Sequence, residues 1–202
     1  MKIVLYDKTC AGEGWRPGLS TTWHAGTVMN RGLGRLDAAF GATSWDEALG
    51  FAASAKEPIE ELQYWGHGKW GCVKVDQDGL DAASLVAGHR LRPLLEAVRE
   101  RLTPDALVWF RTCEAFGARA GHDFAQRIAD FFGRRVAGHT FVIHALQSGL
   151  HGLLPGNAPY WPIDEGLEEG TPDAPKKALW SSLLAPRTIT CLANRVPERW
   201  FA

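Results

Sequence analysis

Ile59-Glu60-Glu61-Leu62-Gln63-Tyr64-Trp65-Gly66-His67-Gly68 is the stretch that decides the fold. Pro58 closes whatever precedes it, and the run from Ile59 to Trp65 is rich in apolar and aromatic residues, as a strand requires. The run then stops at a His framed by two glycines. A second stretch repeats the design. Ala106-Leu107-Val108-Trp109-Phe110 reads as a buried strand, and Arg111-Thr112-Cys113 follows it. In an open sheet of parallel strands, the carboxyl ends of neighbours share one crevice, where chemistry gathers. His67 and Cys113 are therefore expected together in space although they are far apart in the chain.

Working outward, Met1 to Tyr6 reads as a first buried strand, and Lys8 to Asn30 as a long loop rich in Gly, Thr and Trp. Gly32 to Phe40 is expected as a short helix. Ser44-Trp45-Asp46-Glu47 matches a capping box, so a helix is expected from there to about Lys56. Trp70 to Val75 and the segment after Asp76-Gln77-Asp78-Gly79 read as a small hairpin. Asp76-Xaa-Asp78-Gly79 is a polar turn rather than a calcium loop, because its Gly falls at the fourth position and not the sixth.

Leu91, Leu94, Leu95, Val98 and Leu102 recur at helical spacing, which predicts a helix over Gly88 to Leu102. Phe124, Ile128, Phe131 and Phe132 predict the next, over Gly121 to Phe132, stopped by Gly133. Arg135 to Ile143 reads as a strand, and Thr188 to Ala193 as a last one. Strands alternating with helices of this length predict an α/β fold, a three-layer sandwich with a mainly parallel central sheet and helices on both faces. From His144 to Pro186 the prolines and glycines argue against much regular structure. In one domain spanning 1–202, this long 144–186 loop is expected to serve the active site or its specificity.

Composition narrows the function. The chain of 202 residues is 46% hydrophobic with a net charge of −1, so no broad attraction to nucleic acid or to an anionic membrane is expected. No run approaches the roughly 20 apolar residues that span a bilayer. The amino-terminal apolar run is too short for a signal peptide. Cys10, Cys72, Cys113 and Cys191 show no metal-binding spacing, so a reduced, cytoplasmic protein without metal or other cofactor is expected. His139, His144 and His151 match no ligand motif. Tryptophans fall in several loops (Trp15, Trp23, Trp70, Trp161), where they either cover core edges or line a groove.

A thiol beside an imidazole, with backbone amides nearby, is equipment for acyl transfer. The strand-His-Gly and strand-Xaa-Xaa-Cys arrangement of Trp65 to Gly68 and Phe110 to Cys113 resembles the caspase-like cysteine peptidases. The segment from Arg111 to Ala129 is also similar to bacterial caspase-like domains of uncharacterised function. The resemblance covers about Ile59 to Thr140. It implies that Cys113 is the nucleophile, that His67 is the general acid/base, and that the amides of Gly68 and Cys113 form an oxyanion hole. It also implies a protein or peptide substrate.

On a strand, positions two apart face one side, so Arg111 is expected beside Cys113, where its fork would select an acidic side chain. His144, Gln147 and Ser148 follow the next strand and are expected to rim the crevice, as is His24 beside Trp23. Glu114 departs from the caspase pattern, since an anion next to the Cys opposes the thiolate. Three readings therefore stand: an endopeptidase with acidic preference, a caspase-like binding or signalling module without catalysis, and a small-molecule amidase using the same dyad. The outer strand of such a sheet also offers an edge for a second copy, giving a homodimer.

Overall fold

A computed structural model describes residues 1–12 and 18–201. Its elements, in chain order, begin with strand β1 (Lys2–Asp7), helix α1 (Leu19–Gly32), β2 (Ala38–Ala42), α2 (Trp45–Ala53) and β3 (Ile59–Trp65). Three short strands follow, β4 (His67–Lys69), β5 (Cys72–Val75) and β6 (Asp78–Asp81). Next come α3 (Arg92–Arg101), β7 (Leu102–Arg111), α4 (Ala118–Phe132) and β8 (Arg135–His139). The remainder holds β9 (Leu146–Gln147), β10 (Leu150–Leu153), β11 (Leu167–Thr171), β12 (Ala174–Ala178) and β13 (Ile189–Thr190).

The fold is mixed α/β, built on a six-stranded sheet in the order β10-β8-β7-β3-β1-β2. All neighbours pair in parallel except β10, which runs antiparallel to β8. The central strands are apolar on both faces, as parallel strands buried on both sides must be. One face carries Ile3, Leu5, Leu62, Val108 and Phe110 into the main core under α2, α3 and α4. The other face is covered differently along its width. Val4 and Trp65 lie under Trp23 of α1, while Leu107, Trp109 and Leu150 lie under Val196, Trp200 and Phe201 of the carboxyl-terminal segment.

Local chemistry explains the helix ends. Ser44 accepts a hydrogen bond from the Glu47 amide at 3.2 Å and so caps α2. The Glu47 carboxylate reaches back to the amide and hydroxyl of Thr43 rather than to Ser44, so the capping box is shifted by one residue on its return side. α4 ends at Gly133, whose φ of 60° is the left-handed region that a residue without Cβ enters freely.

Several expectations need correction. The strand expected over Arg135 to Ile143 ends at His139, and the helix expected over Gly88 to Leu102 covers only Arg92–Arg101, with Leu102 opening β7. Lys8 to Asn30 is not all loop, because α1 occupies Leu19–Gly32. Its buried positions are Thr27 and Asn30, while Val28 and Met29 are exposed, so apolar periodicity gives no sign of it. Gly26 lets the helix approach the sheet, since a methyl there would lie 2.8 Å from the Trp65 ring.

Gly32 to Phe40 is a turn through Gly34 leading into β2 rather than a helix. The segment 144–186 carries β9, β10 and the β11–β12 hairpin. It is held in place by Glu165, which accepts hydrogen bonds from Thr140 at 2.7 Å and from His151 at 2.5 Å. The strand expected over Thr188 to Ala193 shrinks to β13, which pairs with β9. No described helix is long and apolar enough to cross a membrane.

Candidate active site

The register of the parallel strands places Tyr6, Trp65 and Arg111 in one row across β1, β3 and β7. Whatever follows each strand therefore leaves the sheet at the same edge. His67 follows β3 and Cys113 follows β7. The chain between β3 and β4 folds over that edge. A methyl on Gly68 would lie 2.6 Å from the Thr112 hydroxyl and 2.7 Å from the Cys113 carbonyl oxygen. Only glycine allows the His67 strand to sit this close to the Cys113 segment. β4, β5 and β6 form a small antiparallel sheet that carries His67, with His67 opposite Lys74. The Tyr64 hydroxyl donates to the Lys74 carbonyl and pins that sheet to β3.

Cys113 is partly buried, with its sulfur 3.8 Å from the Ile143 carbonyl. Burial pushes its thiol up to about 11, and Glu114 adds to the rise against the hydrogen bond to Ile143. The resting group is a thiol. Glu114 has φ of 30°, in the left-handed region, which turns the chain sharply after the Cys. Its amide donates to the Phe141 carbonyl at 3.0 Å, and one carboxylate oxygen is buried without a partner among the described residues. Burial pushes this carboxyl up to about 7 despite Lys69, so near neutral pH its charge is partly quenched.

The imidazole of His67 is not idle. Its Nε2 lies 3.0 Å from the sulfur of Cys10, and Trp23 of α1 packs edge-on against the ring at 5.7 Å. Cys10 follows β1, so three adjacent parallel strands each deliver one reactive side chain to the same edge. Sequence reasoning missed Cys10, although the strand-end rule that selects His67 and Cys113 applies to it equally.

The remaining candidates are placed as follows. Arg111 does not open into the crevice. It lies almost wholly buried, with its guanidinium 4.9 Å from the Trp65 ring and 4.5 Å from the Trp109 ring. It donates to Gln147 at 3.1 Å, Asn194 at 3.3 Å, Gln63 at 3.4 Å and the Cys191 carbonyl at 2.7 Å. Burial lowers its pKa to about 10, against the pull of Cys191 and Glu61. The carboxyl-terminal segment thus seals Arg111 with neutral partners.

Gln147 belongs to that network. Ser148 is fully buried and bonds Thr188 at 2.7 Å, so it faces the loops rather than the crevice. His144 is exposed, next to the Ile143 whose carbonyl meets Cys113, and its Nε2 lies 3.1 Å from the Ser181 carbonyl. His24 is exposed on α1, one residue from Trp23, and meets the Tyr6 hydroxyl at 3.0 Å. Trp15 lies outside the described residues. Trp70 lies beside Gly117, and Trp161 stacks on Phe116 in the core.

No group of three or more potential metal ligands occurs among the described residues. No family model, curated protein or solved structure matches the chain.

Proposed function

We propose that the protein is a caspase-like cysteine endopeptidase, cytoplasmic and bacterial, in which Cys113 is the nucleophile and His67 the general acid/base. The observation that carries this reading is the packing of Gly68 against Thr112 and the Cys113 carbonyl at the shared carboxyl edge of β3 and β7. A peptide carbonyl seated there would meet the Cys113 thiol on one side and, once His67 turns from Cys10, its imidazole on the other. His67 takes the Cys113 proton as sulfur adds to the carbonyl carbon. The amides of Gly68 and Cys113 receive the developing oxyanion. The imidazolium then protonates the leaving amine, and water hydrolyses the thioester with His67 as base. For this to start, His67 must leave Cys10 and turn to Cys113.

An acidic preference rests on Arg111. A buried guanidinium whose hydrogen bonds, among the described residues, go to side-chain amides and a carbonyl gains most from a carboxylate, which would pair with both arms of its fork. A substrate reaches it when Cys191 to Asn194 withdraw. The test is hydrolysis of a peptide library. Cleavage after Asp or Glu is expected, abolished by Cys113→Ala and retained by Cys72→Ala. Cleavage that survives Cys113→Ala overturns the assignment.

A second reading, a caspase-like binding module without catalysis, is favoured by one observation. The Cys113 thiol is pushed up to about 11 beside a carboxyl, the opposite of an activated nucleophile. Absence of hydrolysis together with unchanged biological activity of Cys113→Ala would establish it.

A further inference from the structure

We infer that Cys10 and His67 form a thiol–imidazole pair that makes Cys10 the redox-sensitive thiol of this protein, reacting with peroxide-class oxidants. Four cysteines are free, and they differ sharply in surroundings. Cys191 is exposed. The sulfur of Cys72 faces the Val73 carbonyl at 3.9 Å, and that of Cys113 faces the Ile143 carbonyl at 3.8 Å. A carbonyl accepts a thiol's hydrogen but cannot take its proton. Only Cys10, among the described residues, has an imidazole nitrogen against its sulfur, at 3.0 Å. That nitrogen can take the proton and leave a thiolate–imidazolium pair. Thiolate is the reactive form, so the pair decides which cysteine oxidises first.

The other surroundings hold the Cys10 thiol above its ordinary value, so the imidazole at 3.0 Å is what offers its proton a place to go. Burial and the nearby Asp7 and Asp76 raise the Cys10 thiol, while its hydrogen-bonded neighbour Thr9 lowers it. Asp7 is fully buried and is held by the Thr9 amide and hydroxyl at 2.8 and 2.6 Å and by the Asp76 amide at 3.1 Å. Cys10 and His67 also sit at the open edge of the sheet, and His67 is exposed, so a small oxidant reaches them.

The step balances with hydrogen peroxide as the co-reactant. The Cys10 thiolate attacks one peroxide oxygen, an S–O bond forms and the O–O bond breaks. Sulfur loses two electrons, and the departing hydroxide takes the imidazolium proton to leave water. The product is a sulfenic acid hydrogen-bonded to His67. If the peptidase reading is right, this occupies the base that Cys113 needs, and peroxide becomes an off switch.

The experiment exposes the native protein to substoichiometric hydrogen peroxide, traps sulfenic acid with dimedone, and reads the four cysteines by mass spectrometry. Dimedone is expected chiefly on Cys10. His67→Gln is expected to slow that labelling about tenfold and to leave Cys191 unchanged, as loss of the thiolate-forming partner requires. His67 is exposed, so this variant keeps the core intact, and His67→Asn serves as a second. Labelling led by Cys113, Cys72 or Cys191, or a Cys10 rate indifferent to both His67 variants, overturns the inference. The readout needs no substrate and is expected to persist in Cys113→Ala, so failure of the peptidase reading leaves it standing and is seen separately, as absent hydrolysis.

Discussion

Gly68→Ala probes the contact on which the site depends. Gly68 does not have a positive φ, so alanine meets no backbone penalty there, and the whole effect comes from what the new methyl touches. It would stand 2.6 Å from the Thr112 hydroxyl and 2.7 Å from the Cys113 carbonyl oxygen. Neither neighbour can swing far aside, since one is backbone and the other a β-branched side chain with a restricted rotamer. The His67 strand must back away by roughly 0.5 to 1 Å to restore ordinary contact, an overpacking strain worth about 1 to 3 kcal/mol. A shift of about 1 Å between catalytic groups lowers turnover on the order of a hundredfold. Gly50→Ala is the matched control. It lies within α2 with open space around its Cβ position, and alanine there is expected to stabilise by about 0.5 to 1 kcal/mol. Urea unfolding of both variants and the wild type, followed by peptide hydrolysis, gives opposite signs in stability and a loss of kcat/KM in Gly68→Ala alone. A Gly68→Ala protein that matches wild type in both would refute the packing of His67 against the Cys113 segment.

Three further outcomes are expected. Ser44→Ala removes the cap of α2 and costs about 1 kcal/mol by urea unfolding, with no change in dimedone labelling of Cys10. Arg111→Met strips the donors that hold Gln147, Asn194 and the Cys191 carbonyl, so hydrogen exchange of backbone amides over 189–196 should rise at least about tenfold while exchange in β3 and β7 stays slow. His139 is fully buried, and burial holds its pKa down to about 3, against the hydrogen bond to the Ser148 carbonyl. The folded state therefore refuses a proton that the unfolded chain accepts, so stability falls as pH drops below about 6.5 and continues to fall towards 3. Between pH 7 and 5 this amounts to about 2 kcal/mol, and His139→Gln should remove that part of the decline in urea midpoints measured across the range.

The strands that build the site were legible because they are buried on both faces. β1 and the Ala106 to Phe110 part of β7 are written as short apolar runs, β3 ends in the aromatic pair Tyr64-Trp65, and α3 and α4 show the helical period. α1 was not legible, because it docks through Gly26, Thr27 and Asn30, and polar residues facing a sheet carry no apolar signature. β2 is Ala38-Ala39-Phe40-Gly41-Ala42, poor in strand formers and held in place by pairing with β1. β10 was hidden among glycines, and its place beside β8 comes from tertiary pairing.

The site divides along the same line. His67 and Cys113 follow strands whose ends are sharp. Cys10 lies a few residues beyond β1, in a stretch that reads as loop, so no sharp strand end marks it as a site residue. The sealing of Arg111 depends on Cys191 and Asn194, partners too distant in the chain for any local pattern to reveal.

That seal has an optical consequence. The guanidinium lies against two indoles, Trp65 and Trp109, and both are shielded from water in the closed arrangement. Lifting the tail would hydrate Trp109, which it covers, and open that ring to acrylamide, while Trp65 stays under Trp23 of α1. Red-shifted, quenchable emission would thus report, without any added label, when a ligand has pried the carboxyl-terminal segment off the sheet.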